Sequence, residues 1–248
     1  MSDQEYSRQL AATRLTLRLI ADQYAPAAFA NSLAAEDMVL TDLILRAELP
    51  IAIFTLDTGR LHQETLDMIA RIHDTYGYQV ESFRPDPQAL DAWVRQHGAD
   101  GFYQSVELRK ECCGLRKVEP LGRALSGKHA WITGQRRAQS STRAELALKE
   151  QDPAHGMVKF NPLVEWTEEH VWRYIHEHQV PYNPLHDQGY PSIGCQPCTR
   201  AVQPGEDIRA GRWWWESPES KECGLHVVDG KLIRIKLEAR APGELNGN

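Results

Sequence analysis

Four of the chain's five cysteines stand in two tight pairs, and any fold it adopts has to account for them. Cys112 and Cys113 are adjacent inside the polar run KECCGLRK, residues 110–117. Cys195 and Cys198 form a C-x-x-C in GCQPC, about eighty residues later. A C-x-x-C alone serves redox dithiols, zinc sites and iron–sulfur clusters alike. Two pairs together can supply four thiolates to one tetrahedral site, which suits zinc or an iron–sulfur cluster. Structural zinc knuckles typically separate their ligands by about two to four residues, so adjacent cysteines speak against one. A bond between Cys112 and Cys113 would be strained. The fifth thiol, Cys223 in KECGLH, has no partner left once the other four are taken. Lys221 and His226 flank it, and a nearby cation raises the thiolate fraction of a thiol. Cys223 is therefore the candidate nucleophile.

Between these landmarks, apolar runs alternate with segments of helical period. Residues 1–24 read as a helix with Leu10, Leu15, Leu17 and Ile20 on its apolar side. APAAFANS reads as a buried strand. EDMVLTDLILRAEL follows as a helix with Val39, Leu40, Leu43, Ile44 and Ala47 at helical spacing. PIAIFTLDTG is a second strand, LHQETLDMIARIHDTY a helix, YQVESFRP a third strand and HAWITGQRR a fourth. TEEHVWRYIHEH is a further helix, with Thr167 as N-cap. Strands alternating with helices predict an α/β fold with a mostly parallel sheet and helices on both faces. Ligands in such folds sit at the carboxyl ends of the strands. The expected organisation is one nucleotide-binding α/β domain with the metal site over residues 1–198. A mobile, Pro-, Gly- and Trp-rich C-terminal segment with the candidate nucleophile follows over residues 199–248.

The chain has 248 residues and a formal net charge of −6. An acidic chain is a poor generic binder of nucleic acid, which needs a basic face. No apolar run approaches the roughly 20 residues that span a bilayer, and the N-terminus lacks a signal-peptide apolar core. A cytoplasmic protein with reduced thiols is expected. The sequence leaves a homo-oligomer open, along with the roles of the first 25 and last 20 residues.

Small anions remain possible ligands. NSLAAEDMVL runs from strand to helix through small residues, with Ser32 either in an anion loop or as an ordinary N-cap. TGQRRAQSSTR supplies Arg136, Arg137 and Arg143, and the later loop supplies Arg209 and Arg212. Guanidinium groups grip oxyanions through two parallel bonds. Lys117 lies four residues after Cys113.

SLAAED, TLDTGRLH, ECCGLRKVEPL, TGQRR, KFNPL, PYNPLHDQGYPSIGCQPCTR, GRWWWE and KECGLH together resemble the assimilatory adenylyl-sulfate reductases, in their iron–sulfur, thioredoxin-dependent bacterial form. The resemblance implies an adenine-nucleotide α-hydrolase-like sheet related to the PP-loop pyrophosphatases. It implies a [4Fe–4S] cluster on Cys112, Cys113, Cys195 and Cys198, and adenosine 5′-phosphosulfate as substrate. Ser32, the Leu56 backbone, Lys117, Arg136, Arg137, Arg143, Arg209, Arg212 and His226 would bind that substrate. Cys223 would attack its sulfur, and thioredoxin would release sulfite. The rival readings are a reductase for 3′-phosphoadenylyl sulfate and a non-enzymatic iron–sulfur redox sensor.

Overall fold

The structure, a computed structural model, describes residues 3–140 and 143–217, plus the backbone of two short strands at Val227–Val228 and Lys231–Leu232. Cys223 and His226 lie outside the described residues.

The main sheet is built from β1 (Ala27–Ala30), β2 (Ile51–Leu56), β3 (Glu81–Phe83), β4 (Ala130–Ile132), β5 (Lys149–Asp152) and β6 (Met157–Phe160), in the order β3-β2-β1-β4-β6-β5. All neighbours run parallel except the edge strand β5, which is antiparallel to β6. The predicted mostly parallel α/β sheet is therefore present. Its central strands are short apolar runs with both faces covered, as parallel sheets require. Ala27, Ala28 and Phe29 of β1 and Ala130, Trp131 and Ile132 of β4 are all buried.

The helices are α1 (Asp3–Gln23), α2 (Ala35–Arg46), α3 (Gln63–Tyr76), α4 (Pro87–His97), α5 (Val106–Cys113), α6 (Glu119–Leu125) and α7 (Glu168–His178). Helix α2 is buried on nearly all sides, from Ala35 to Ile44, which explains its unusually apolar sequence. Helix α3 ends where Gly77 takes φ +67°, a left-handed cap that costs glycine nothing. Thr167 caps α7 as the sequence predicts, its hydroxyl accepting from the His170 N–H at 3.2 Å.

Three expectations need correction. Leu15 does not join the buried face of α1; it is 66% exposed, while Leu17 and Ile20 are buried. Ala47 caps the end of α2 and is exposed. Ser32 is not the N-cap of α2; that position is Ala34, with no side-chain cap. Helices α4, α5 and α6 and the β5–β6 hairpin add to the predicted elements.

Candidate active site

The chain runs outward from β1 to β2 and β3, then returns to place β4 on the other side of β1. The loops after β1 and β4 thus diverge, and a crevice opens between them at the carboxyl ends of the strands. A cavity of about 580 Å³ occupies this place, the size of a cofactor or nucleotide site. Ser32 and Ala34 line it from the β1 loop, and Gly134, Gln135 and Arg136 from the β4 loop. Trp172 and His186 line it as well.

The first turn of α2 faces this space. Because Ala34 supplies no side-chain cap, other groups hold the turn. His186 Nε2 accepts the Ala35 N–H at 3.1 Å, and Asn31 Oδ1 accepts the Leu33 N–H at 2.6 Å. Burial pushes the His186 imidazole below its usual pKa, which keeps that ring nitrogen an acceptor. The Ser32 N–H and hydroxyl both donate to Asp37 Oδ2, at 2.6 and 2.5 Å. Burial pushes Asp37 up to about 6, against the pull of the Ser32 bonds. Neighbouring Glu36 is only partly buried, and the Arg136 charge and hydrogen bonds outweigh that burial and hold its carboxyl below the usual range. Gly134 passes directly over this acidic pair. A Cβ there would lie 2.0 Å from Asp37 Oδ1, so the β4 loop needs glycine at this position.

The cysteine pairs meet beside the cavity. Cys112 and Cys113 close α5, and the backbone continues through a π-helical turn, Gly114–Val118, into α6. Such turns are rare and occur often at functional sites. This one carries Arg116, whose Nη1 donates to the Thr58 carbonyl at 2.6 Å, and Lys117. The second pair is tied to the loop after β2. The Gln196 N–H donates to the Arg60 carbonyl at 2.7 Å, Leu61 bridges Cys195, and Thr58 Oγ1 lies 3.2 Å from Cys195 Sγ.

None of the four thiols is in a disulfide, and all line one cavity of about 20 Å³, with Arg60, Arg116 and Lys117. Among the described residues no three Cys, His, Asp or Glu side chains are grouped as a single metal ion requires. Burial pushes Cys198 up to about 12, aided by the neighbouring Cys195 and Cys113. Burial also raises Cys112, against the pull of Arg116. Thiols in this setting stay protonated unless a positive centre holds them as thiolates. Arg116 Nε and Trp213 Nε1 are buried donors without an acceptor, and Trp213 packs in the same cluster as the cysteines. A donor set of four soft thiols with unpartnered N–H groups beside it fits an iron–sulfur centre, whose sulfurs accept hydrogen bonds.

The segment after Cys198 is fastened to this centre. The Trp213 N–H donates to the Cys198 carbonyl at 3.1 Å. The Arg109 and Arg212 guanidinium groups both lie over the Trp213 ring, 4.6 and 4.8 Å from its centre. Arg109 and Glu216 form a fully buried two-bond ion pair at 2.8 Å.

The predicted residues are therefore brought together unevenly. Ser32, Lys117, Arg136, Arg143, Arg209 and Arg212 all line the large cavity, and Lys117 also lines the thiol cavity. Arg136 is committed to Glu36, at 2.7 Å. Arg137 is not in the cavity; it pairs with Glu165 and donates to the Leu146 carbonyl at 2.8 Å. Leu56, at the end of β2, packs with the apolar cluster around Phe54 and Trp131 and does not line the cavity either. Sequence reasoning passed over Glu36, Asp37, Gly134 and His186. An acidic pair opening a helix reads as a partner of its dipole, and nothing local joins His186 to a helix some 150 residues away.

Residues 26–201 match the family model for the phosphoadenosine phosphosulfate reductase domain. The chain is 58% identical over 225 residues to adenosine 5′-phosphosulfate reductase of Burkholderia cepacia, covering 91% of this chain and 90% of that protein. It is 61% identical over 198 residues to the protein of the same name from Allochromatium vinosum, covering 80% of this chain and 77% of that one. Among solved structures, a phosphoadenylyl-sulfate reductase from Candida auris, in complex with phosphate, superposes with a TM-score of 0.66 at 26% identity, covering 82% of this chain and 98% of that one.

Proposed function

The chain belongs to the phosphoadenosine phosphosulfate reductase domain family, and from that premise we propose that it reduces adenosine 5′-phosphosulfate to sulfite and AMP with thioredoxin as reductant. The observation that carries the reading is the position of Lys117, which lines both the nucleotide-sized cavity and the cavity of the four thiols. A family that handles phosphosulfates needs a cationic crevice, and this crevice has Lys117, Arg143, Arg209 and Arg212 on its walls.

In the proposed reaction the Cys223 thiolate attacks the sulfur of the phosphosulfate. The S–O bond to phosphate breaks, AMP leaves with the bonding pair, and an S-sulfocysteine remains. Cations around the phosphate stabilise the charge that develops there. A thioredoxin thiolate then attacks the Cys223 sulfur and sulfite departs; the second thioredoxin thiol closes the disulfide, so the dithiol supplies both electrons. Residues 199–248 form the segment that delivers the nucleophile. Glu216 anchors its inner part to Arg109, and Cys223 follows seven residues later, within a reach of about 25 Å at full extension.

Cys112, Cys113, Cys195 and Cys198 would hold a [4Fe–4S] cluster. Once bound it would set a fixed local charge beside Lys117 and, through it, the field at the substrate. The support is the four-thiol donor set and the unpartnered N–H groups of Arg116 and Trp213. No described helix is long and apolar enough to cross a membrane. Free thiols are kept reduced in the cytoplasm, where we place the reaction.

Sulfite release by anaerobically purified protein tests the reading. Adenosine 5′-phosphosulfate with thioredoxin is expected to support turnover at least about tenfold faster, by kcat/KM, than the 3′-phosphorylated nucleotide. Faster turnover of the latter would give the substrate of the Candida auris relative instead. Release from neither would leave the redox-sensor reading.

A further inference from the structure

None of the residues named in the proposed reaction comes from KFNPL, residues 159–163. Two of its side chains nevertheless reach the loop after β4 that walls the crevice. Lys159 and Asn161 are two residues apart and leave the sheet on one face, while Phe160 between them packs into the main core. Lys159 stands opposite Trp131 in the β4–β6 register and is only 4% exposed. A lysine buried this deeply needs partners for its charge. Its Nζ donates to Gln135 Oε1 at 3.0 Å and lies 3.2 Å from Glu150 Oε2. It also lies 5.6 Å from the centre of the Trp131 ring. An ammonium has three N–H groups, and these three neighbours account for them. Lys159 itself does not line the crevice.

Gln135 does line it. This residue is half-buried and tied to β6 through both its backbone and its side chain. Its N–H donates to Thr133 Oγ1 at 3.4 Å, and the Thr133 hydroxyl donates to Asn161 Oδ1 at 2.6 Å. Asn161 Nδ2 donates in turn to the Glu150 carboxylate at 3.0 Å. An ammonium cannot accept a hydrogen bond, so the amide turns its oxygen to Lys159 and its nitrogen the other way. Among the described residues that Nε2 group donates to none. Gly134, one residue earlier, passes over Asp37 in the first turn of α2. Gln135 thus stands where the β1 and β4 loops diverge, the place where such sheets bind nucleotides.

We propose, on the reading of the crevice as the adenosine 5′-phosphosulfate site, that Gln135 binds substrate by donating its amide N–H to an acceptor atom of the AMP moiety, and that Lys159 is the positioning residue that aims it. Without the lysine the amide could present either its oxygen or its nitrogen; with it, only donors face the ligand. A buried ion pair is often no more stabilising than apolar residues of the same volume. The orientation of Gln135 is what the Lys159–Glu150 pair supplies instead.

Calorimetric titration of AMP into the anaerobically purified full-length protein tests this. Gln135→Met keeps the length of the side chain and removes the donor. It should weaken AMP binding by about tenfold, the scale of one lost hydrogen bond. The KM for adenosine 5′-phosphosulfate should rise by a similar factor while kcat changes far less, as for a contact made equally with substrate and transition state. Lys159→Met should also weaken AMP binding, and adding it to Gln135→Met should cost no further affinity. A lysine that served folding alone would lower stability without this coupling. Unchanged AMP affinity in Gln135→Met, beside normal binding by the unsubstituted protein, would overturn the proposal and leave the reading of the crevice standing. That result needs no Lys159 variant that folds. Losses that multiply in the double variant would overturn the positioning role of Lys159. No AMP binding by the unsubstituted protein would overturn the reading of the crevice, and the role of Gln135 with it.

Discussion

Asp37 shows how one carboxyl in the crevice ties the site to pH. Burial lifts it to about 6 from an ordinary 3.8, so the folded protein holds the proton more tightly than the unfolded chain does. The stability this confers is complete below about pH 4 and is lost as the pH rises through about 6. Two pKa units correspond to about 3 kcal/mol. The unfolding free energy of the unsubstituted protein, relative to Asp37→Asn, is therefore expected to fall by about 3 kcal/mol between about pH 4 and pH 7. Denaturant titrations of the two proteins across that range check this, and parallel pH profiles would contradict it. At this scale the sequence was only partly legible. The cysteines stand out because adjacent thiols in a polar run have few other uses. Arg136 and Arg137 look equivalent in the sequence, yet the backbone turns between them: Arg136 is extended and Arg137 opens a short 3-10 helix. Arg136 turns to Glu36 in the crevice, and Arg137 turns out to Glu165.

Among the elements, α5 holds the described part of the segment after Cys198 through the buried Arg109–Glu216 ion pair. Removing one partner of such a pair leaves an uncompensated buried charge, at a cost of about 3–5 kcal/mol. Arg109→Leu should therefore destabilise the protein by about that amount. The double substitution Arg109→Leu/Glu216→Leu should recover most of the loss. Thermal and denaturant unfolding measure both, and a double variant as unstable as the single would contradict this reading. Element by element, legibility followed periodicity. The strongly apolar α2 and β2 and the amphipathic α3 and α7 could be read from the sequence. Helices α4, α5 and α6 could not: α5 and α6 span only 8 and 7 residues, and α4 buries only Trp93, which leaves its apolar pattern little core to face. The run from α5 to α6 also passes through a π-helical turn that breaks the helical period. The β5–β6 hairpin was missed because its edge strand, KEQD, is polar and only half-buried.

As a whole, the molecule sets a nucleotide-sized crevice at the switch point of a parallel sheet and gathers four thiols beside it. Strand–helix alternation made the sheet legible before the structure. The crevice's exact lining was not, because it joins loops far apart in sequence, such as the β1 loop and His186. In the proposed reaction Cys223 carries the sulfur between substrate and thioredoxin. The direct measurement is transfer of radioactive sulfur from labelled adenosine 5′-phosphosulfate to anaerobically purified protein, without thioredoxin, followed by a non-reducing gel. Label is expected on the unsubstituted protein and none on Cys223→Ser, with the same iron content in both and release of the label as sulfite when thioredoxin is added. Equal labelling of both proteins, or sulfite release with no labelled protein at any time, would contradict it.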